Sequence, residues 1–329
     1  MTPVAIPLSW HAAVTAWTFQ PIADAAILVA AVLYLRAAGT SPGWPRRRTA
    51  CFLGGLTVLV LALNGVVGVY AHVLFSMHMA QHLLLITVIP ALIVLGQPLE
   101  LLRQVSLPQR RRALSALRRN RLPAALTHPL VALALYAAVL VGAHLTPFMQ
   151  VMLTHPWLHH AETLLYLASG YLFLLPLLAH EPVRWRLPYL LRLAILLIGM
   201  VVDTVVGVAL LMTPTEPFPA YTAQHRTWGP TPLEDLHWGG AAMWIGGDAL
   251  MAVLAVLVIT QWLGDPARGN DLGAFLNSAR RTALAGTSPG TEAGATIAEI
   301  RDLDDDQEAL AAYNTMLAGL ARRQPPPRR

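Results

Sequence analysis

The run Met77-His78-Met79-Ala80-Gln81-His82-Leu83-Leu84-Leu85-Ile86-Thr87-Val88-Ile89-Pro90-Ala91-Leu92-Ile93-Val94-Leu95-Gly96 holds no Asp, Glu, Lys or Arg. A helix rising about 1.5 Å per residue needs about this length to cross about 30 Å of hydrocarbon. Six further apolar runs of similar length lie at 21–38, 51–70, 129–148, 157–179, 187–212 and 238–262. Charged residues make up 12% of the 329-residue chain, about half the share usual in a soluble domain. The fold expected is therefore all-α: a polytopic membrane protein with seven transmembrane helices.

Arginine supplies the orientation. The connections between spans one and two, three and four, and five and six carry fourteen arginines, whereas the alternate connections carry Arg226 alone. Such a bias sets the N-terminus outside and the C-terminus in the cytoplasm. All 23 basic residues are Arg, and a seven-span chain without lysine cannot hold retinal as a Schiff base. The chain's positive balance does not point to nucleic acid, because the arginines sit in short loops between spans. The connection from Leu99 to Leu122 alternates Arg with Leu and Ala, the pattern of an amphipathic helix lying on anionic lipid.

Residues 1–263 form the transmembrane domain in this reading. The stretch 264–329 begins polar and Gly-rich, then repeats Ile297, Ile300, Leu303, Leu310, Tyr313, Leu317 and Leu320 at helical spacing, giving a cytoplasmic linker and a short helical tail. Cys51 is the single cysteine, so neither a disulfide framework nor a C-x-x-C site can form. The first nineteen residues show no basic segment ahead of an apolar core, and no cleavable signal peptide is expected.

Ten of the twelve histidines fall on the side opposite the arginines; His128 and His180 are the exceptions. His78 and His82 are four apart, so they project from one stripe of the third span, one turn from each other. Two imidazoles so placed are a ready chelate for Cu, Zn or Fe. His144, His159 and His160 belong to the same level, with His72, His155 and Glu162 beside them and Met79 among the thioethers at that depth. Imidazole with thioether and no thiolate suits copper, Cu(I) being favoured by the soft sulfur. The candidate metal ligands are therefore His78, His82, His144, His159, His160 and Met79. Within or near the spans lie four further polar residues, Asp24, Asn64, Asp203 and Asp248. Asp203, in mid-span, is the sharpest functional candidate, as a proton relay or a protonated, hydrogen-bonded acid.

Trp44-Pro45 with Arg48-Thr49-Ala50, His78-Met79-x-Gln81-His82, His128-Pro129, Gly170-Tyr171-Leu172-Phe173-x-x-Pro176-Leu177-Leu178 and Gly239-Gly240-x-x-Met243-Trp244 occur in that order. Together they resemble the seven-span CtaG-type family of cytochrome c oxidase assembly proteins. The resemblance implies a multi-pass protein of the bacterial cytoplasmic (inner) membrane that serves maturation of a haem–copper oxidase. It implies oxidase subunits as partners and copper as the metal supplied, and it carries a role over to His78, Gln81 and His82. Where that family tends to read D-Q-x-x-G-G, this chain has Asp235-Leu236-His237-Trp238-Gly239-Gly240, so Asp235 remains a functional candidate and His237 becomes a new one. Two other classes stay open at this point: a copper transporter or resistance protein, and a redox protein holding haem between paired histidines. No nucleophile elbow, nucleotide loop or zincin motif is present, and no enzymatic activity is expected.

Overall fold

The computed structural model describes residues 7–106, 120–178, 185, 187–264, 311 and 314. Among them every regular element is helical. Six helices are long and apolar enough to cross a membrane: Pro21–Thr40, Arg46–Tyr70, Phe75–Val105, Trp157–Leu178, Tyr189–Leu211 and Pro232–Leu263. A seventh crossing exists if Pro129–His144 and Phe148–Thr154 are one span bent by 70°. These are numbered below as spans one to seven in chain order, the bent pair being the fourth. The chain divides into two compact units, Met1–Ile259 and Thr260–Arg329. The linker and tail expected over 264–329 lie outside the described residues apart from Gly264, Ala311 and Asn314, as do His180 and the central part of the arginine-rich connection, 107–119.

The fourth span, expected over 129–148 with Pro147 kinking or ending it, is bent there. His128 accepts a hydrogen bond from the Leu130 N–H and Pro129 stands at the first turn, so the helix starts where the His-Pro pair placed it. It stops at His144 because Pro147 cannot continue the ladder, and the chain turns into Phe148–Thr154.

Span three is the axis of the bundle. Two-thirds of it is buried (67%), against 6% of span one, and it packs on spans two, five and seven. Pro90 lacks the N–H that an α-helix would offer to the Ile86 carbonyl, and its ring crowds that carbonyl. The helix absorbs this by widening into a π segment over Leu84–Val88, just after the histidine turn. Span seven widens likewise over Ala242–Gly246.

Close approach between spans depends on missing side chains. A Cβ on Gly170 of span five would collide with the Ile86 carbonyl oxygen and stand 2.7 Å from its carbon. Gly207 and Gly240 meet in the same way between spans six and seven, the small-residue packing that lets membrane helices touch backbone to backbone. Far from these contacts, Tyr34 Oη donates to the Gly96 carbonyl at 2.7 Å and stacks on Phe52, while Trp44 Nε1 donates to Tyr34 Oη at 3.2 Å. That anchors the Trp44-Pro45 turn.

The polar residues read within the spans are paired. Asn64 Nδ2 donates to Asp24 Oδ1 at 2.6 Å. Tyr136 Oη lies 2.9 Å from both oxygens of Asp203, and Thr204 Oγ1 donates to Asp248 at 3.1 Å. A buried carboxyl in a membrane is costly without such partners; these have them.

Candidate metal centre

Span three carries the centre because its first turn is clamped. No side chain caps the helix at Leu74, and the Asp235 carboxylate does so from span seven. Its oxygens accept the Phe75 N–H at 2.7 Å, the Ser76 N–H at 3.3 Å and the Ser76 hydroxyl at 2.5 Å. A carboxylate at a helix N-terminus satisfies free N–H groups and meets the positive end of the dipole. Asp235 is itself placed by a capping box, in which Thr231 and Glu234 exchange hydrogen bonds at the start of span seven. Gln81 holds the other flank: its Nε2 donates to the Ala62 carbonyl of span two at 2.8 Å.

With that helix fixed, His78 and His82 point at Glu162 of span five. Each offers one ligand atom, and the three atoms lie within 4.8 Å of one another. His78 Nε2 is 3.7 Å and His82 Nε2 3.4 Å from the carboxylate, and His159 Nδ1 is 3.6 Å from it. The first three residues are almost wholly buried. Both ring nitrogens of His78, His159 Nδ1 and Glu162 Oε1 are buried without a hydrogen-bond partner. Native proteins leave few such atoms, because each orphan costs about 1–3 kcal/mol or more. Three of them, His78 Nε2, His159 Nδ1 and Glu162 Oε1, belong to groups that face one another across 3.6–3.7 Å, and a cation between them would satisfy them.

The tautomers follow from the network. The Leu140 carbonyl can only accept, so His144 Nδ1, 2.9 Å away, donates. His144 Nε2 then bears a lone pair and accepts from His82 Nδ1 at 3.3 Å. That leaves His82 Nε2 with a lone pair aimed at a carboxylate oxygen, two acceptors face to face. A cation between them, a proton or a metal ion, would resolve the conflict, and the carbonyl–histidine relay behind His82 has the form of the support that metal-ligating imidazoles use. Tyr166, stacked on the His82 ring at 4.0 Å, locks its plane.

The sequence-derived candidates divide accordingly. His78, His82 and His159 converge; His144 stands behind His82. His160 is exposed, its ring 6.3 Å from that of His159. Met79 turns toward span seven, where a Cβ on Gly239 would approach its Cγ to 3.0 Å. His237 Nε2 donates to the Thr213 carbonyl at 2.9 Å, and Asp203 is engaged with Tyr136 instead. Glu162 and Tyr166 were missed as site residues. The available signal was a carboxylate within a span, three residues after His159 and thus on its face.

The loops above the centre hold two perturbed groups. Burial, with the neighbouring rings of His159 and His160, lowers His72 to about 4, so it is neutral at pH 7. Burial raises Glu216 to about 6, against the hydrogen bond from the Phe218 N–H. A carboxyl that binds its proton more tightly when folded adds stability below its ordinary 4.5, and that contribution is lost as pH rises through about 6. Glu216→Gln should therefore melt about 2 °C higher than wild type at pH 8, a small shift because the group is half exposed, and no higher at pH 4.5. Thermal unfolding at the two pH values reads the difference.

Residues 26–265 match the family described as cytochrome c oxidase caa3 assembly factor (Caa3_CtaG). The chain belongs to that family. It is also 30% identical to proteins of Mycobacterium bovis, Mycobacterium tuberculosis and Mycobacterium leprae that are described only as uncharacterised. Each alignment takes in 94% of this chain and 45% of the relative, so the chain spans less than half the length of these relatives. No solved structure matches it. The family match covers all seven spans but for the first turn of span one, and both motifs that hold the centre, His78-Met79-x-Gln81-His82 and Asp235, fall inside it. The family's description is of an assembly factor for cytochrome c oxidase and not of a catalyst.

Proposed function

We propose that this chain, in a bacterial cytoplasmic membrane with its N-terminus outside, binds Cu(I) at the His78–His82–Glu162 centre and passes it to a subunit of a haem–copper cytochrome c oxidase. The observation that carries the reading is the convergence of orphaned imidazole nitrogens and a carboxylate oxygen in a buried site. Imidazole suits copper. Charge favours the monovalent ion: one carboxylate neutralises Cu(I) fully, whereas a divalent ion would leave a net charge in a low-dielectric bundle. Membership of the oxidase-assembly family supports the recipient. Three or four protein donors from two spans, one of them His159, whose side chain keeps 12% exposure, give a site that can release what it holds.

The other two classes fare worse. Transport needs a continuous polar path, and Asn64 and Asp203 are each closed in their own hydrogen bonds. Haem between His82 and His144 has no room, since those rings bond each other directly at 3.3 Å.

The test is complementation. In cells lacking the gene, oxidase purified from a strain expressing wild-type chain should carry its full copper complement. Glu162→Gln, accumulating to the same level in the membrane, should restore less than about a tenth, because a buried site that loses its only anion loses its ion. Full restoration by Glu162→Gln would sink the delivery role.

A further inference from the structure

The centre is not sealed, and the residue that opens it is His159. Its Nδ1 faces Glu162 at 3.6 Å, yet the residue also lines a cavity of about 220 Å³ shared with His72, Met152, His160, Tyr221 and Gln224. His72 comes from the short turn between spans two and three. The turn is held by Gln224 Nε2, which donates to the His72 carbonyl at 3.4 Å, and by Tyr221 Oη, which donates to the Ala71 carbonyl at 3.1 Å. The rings of His72 and His159 stand 4.7 Å apart, centre to centre, tilted by 60°. Two imidazoles sharing one ion through bonds of about 2 Å have centres roughly 4.5 to 5.5 Å apart. Met152, a buried residue, lines the same cavity and brings a thioether to it. Imidazole with thioether is a softer set than the two imidazoles and carboxylate below it, and soft donors hold Cu(I).

We propose that His72, His159 and Met152 form a second, exchangeable Cu(I) subsite in this cavity, through which the ion is loaded into the buried centre. The step is ligand exchange alone, and no electron moves. The copper bonds to His72 Nδ1 or Nε2 and to Met152 Sδ break, bonds to His78, His82 and Glu162 form, and His159 is the ligand common to both stations. The ring spacing from His159 to His78, 5.8 Å, keeps that hand-over within one side-chain movement. This subsite rests on the buried centre being a copper site, and the experiment separates the two.

Purified protein is titrated anaerobically with Cu(I) from a coloured chelator complex, with equilibrium uptake and uptake rate both read from chelator absorbance. Wild type should take one tight and one weak equivalent. The variants Met152→Leu, which conserves volume, and His72→Ala/Met152→Leu should keep the tight equivalent, and the double variant should lose the weak one. Both should fill the tight site more slowly, the double variant by at least about tenfold, the lower end of what losing a metal-site residue costs. Glu162→Gln should keep the weak equivalent and lose the tight one. Two equivalents at the wild-type rate in the double variant would overturn the subsite, as would loss of both equivalents together in Glu162→Gln. A weak, His72-dependent equivalent with no Glu162-dependent tight one would overturn the buried-centre reading and leave the cavity site standing.

Discussion

His78→Ala/His82→Ala should retain no tightly bound copper where wild-type protein, loaded anaerobically and desalted, retains about one ion per chain, the number that a single cluster of three or four donors accepts. The double variant removes two of the three atoms that lie within 4.8 Å of one another, so the carboxylate keeps only His159 beside it and binding should fall below detection. Glu162→Gln should weaken binding by more than about a hundredfold, beyond the 10–100-fold typical of losing an outer-shell partner. His144→Ala is the informative contrast. If His144 acts by fixing the His82 tautomer, as its bonds to Leu140 and His82 imply, this variant should still bind one ion, about 10–100-fold more weakly. Zero stoichiometry in His144→Ala would make it a ligand instead. One tight ion in His78→Ala/His82→Ala, with helicity unchanged by circular dichroism, would remove the centre altogether.

The helical, membrane-spanning architecture was legible because it rests on local quantities: run length, hydropathy and the positions of proline. The i, i+4 spacing of His78 and His82 was legible for the same reason. What escaped depended on register between spans. Glu162 stands with His78, His82 and His159 at the centre, yet the local sequence around it does not show that span five sets it opposite the histidine turn. Asp235 was singled out only through the motif around it; its work, capping Phe75 and Ser76 160 residues away, is a tertiary fact. Met79 was drawn toward the metal by its place beside His78, but neighbours on a helix diverge by about 100°, and it packs on Gly239. His144 was placed at the right level, but its contact with His82 was out of reach, since a tautomer is set by partners and not by position. The break in the fourth span was legible, because Pro147 is a residue that kinks or ends a helix and the first segment stops ahead of it.

Gly170→Ala should be the most damaging single methyl in the protein. The added Cβ would run into the Ile86 carbonyl, and that obstacle is backbone, with no flexible end to swing aside. The carbonyl cannot retreat within span three either, because it belongs to the π segment that Pro90 imposes. Relief requires spans three and five to separate or slide, at about 3 kcal/mol or more for overpacking at a backbone contact. The cost is not confined to stability. Gly170 lies two turns along span five from Glu162, so moving the helices apart draws the carboxylate away from His78 and His82, which it now meets at 3.4–3.7 Å. Metal ligation tolerates only about 0.2 Å of error. The variant should therefore lose tight copper as completely as Glu162→Gln while also melting earlier, whereas Glu162→Gln should lose copper without a comparable fall in melting temperature. Gly142→Ala in span four, where a Cβ meets nothing within 4 Å, should leave both readouts at wild-type values. If Gly170→Ala kept its copper and its melting temperature, the close contact of spans three and five that builds the centre would be wrong.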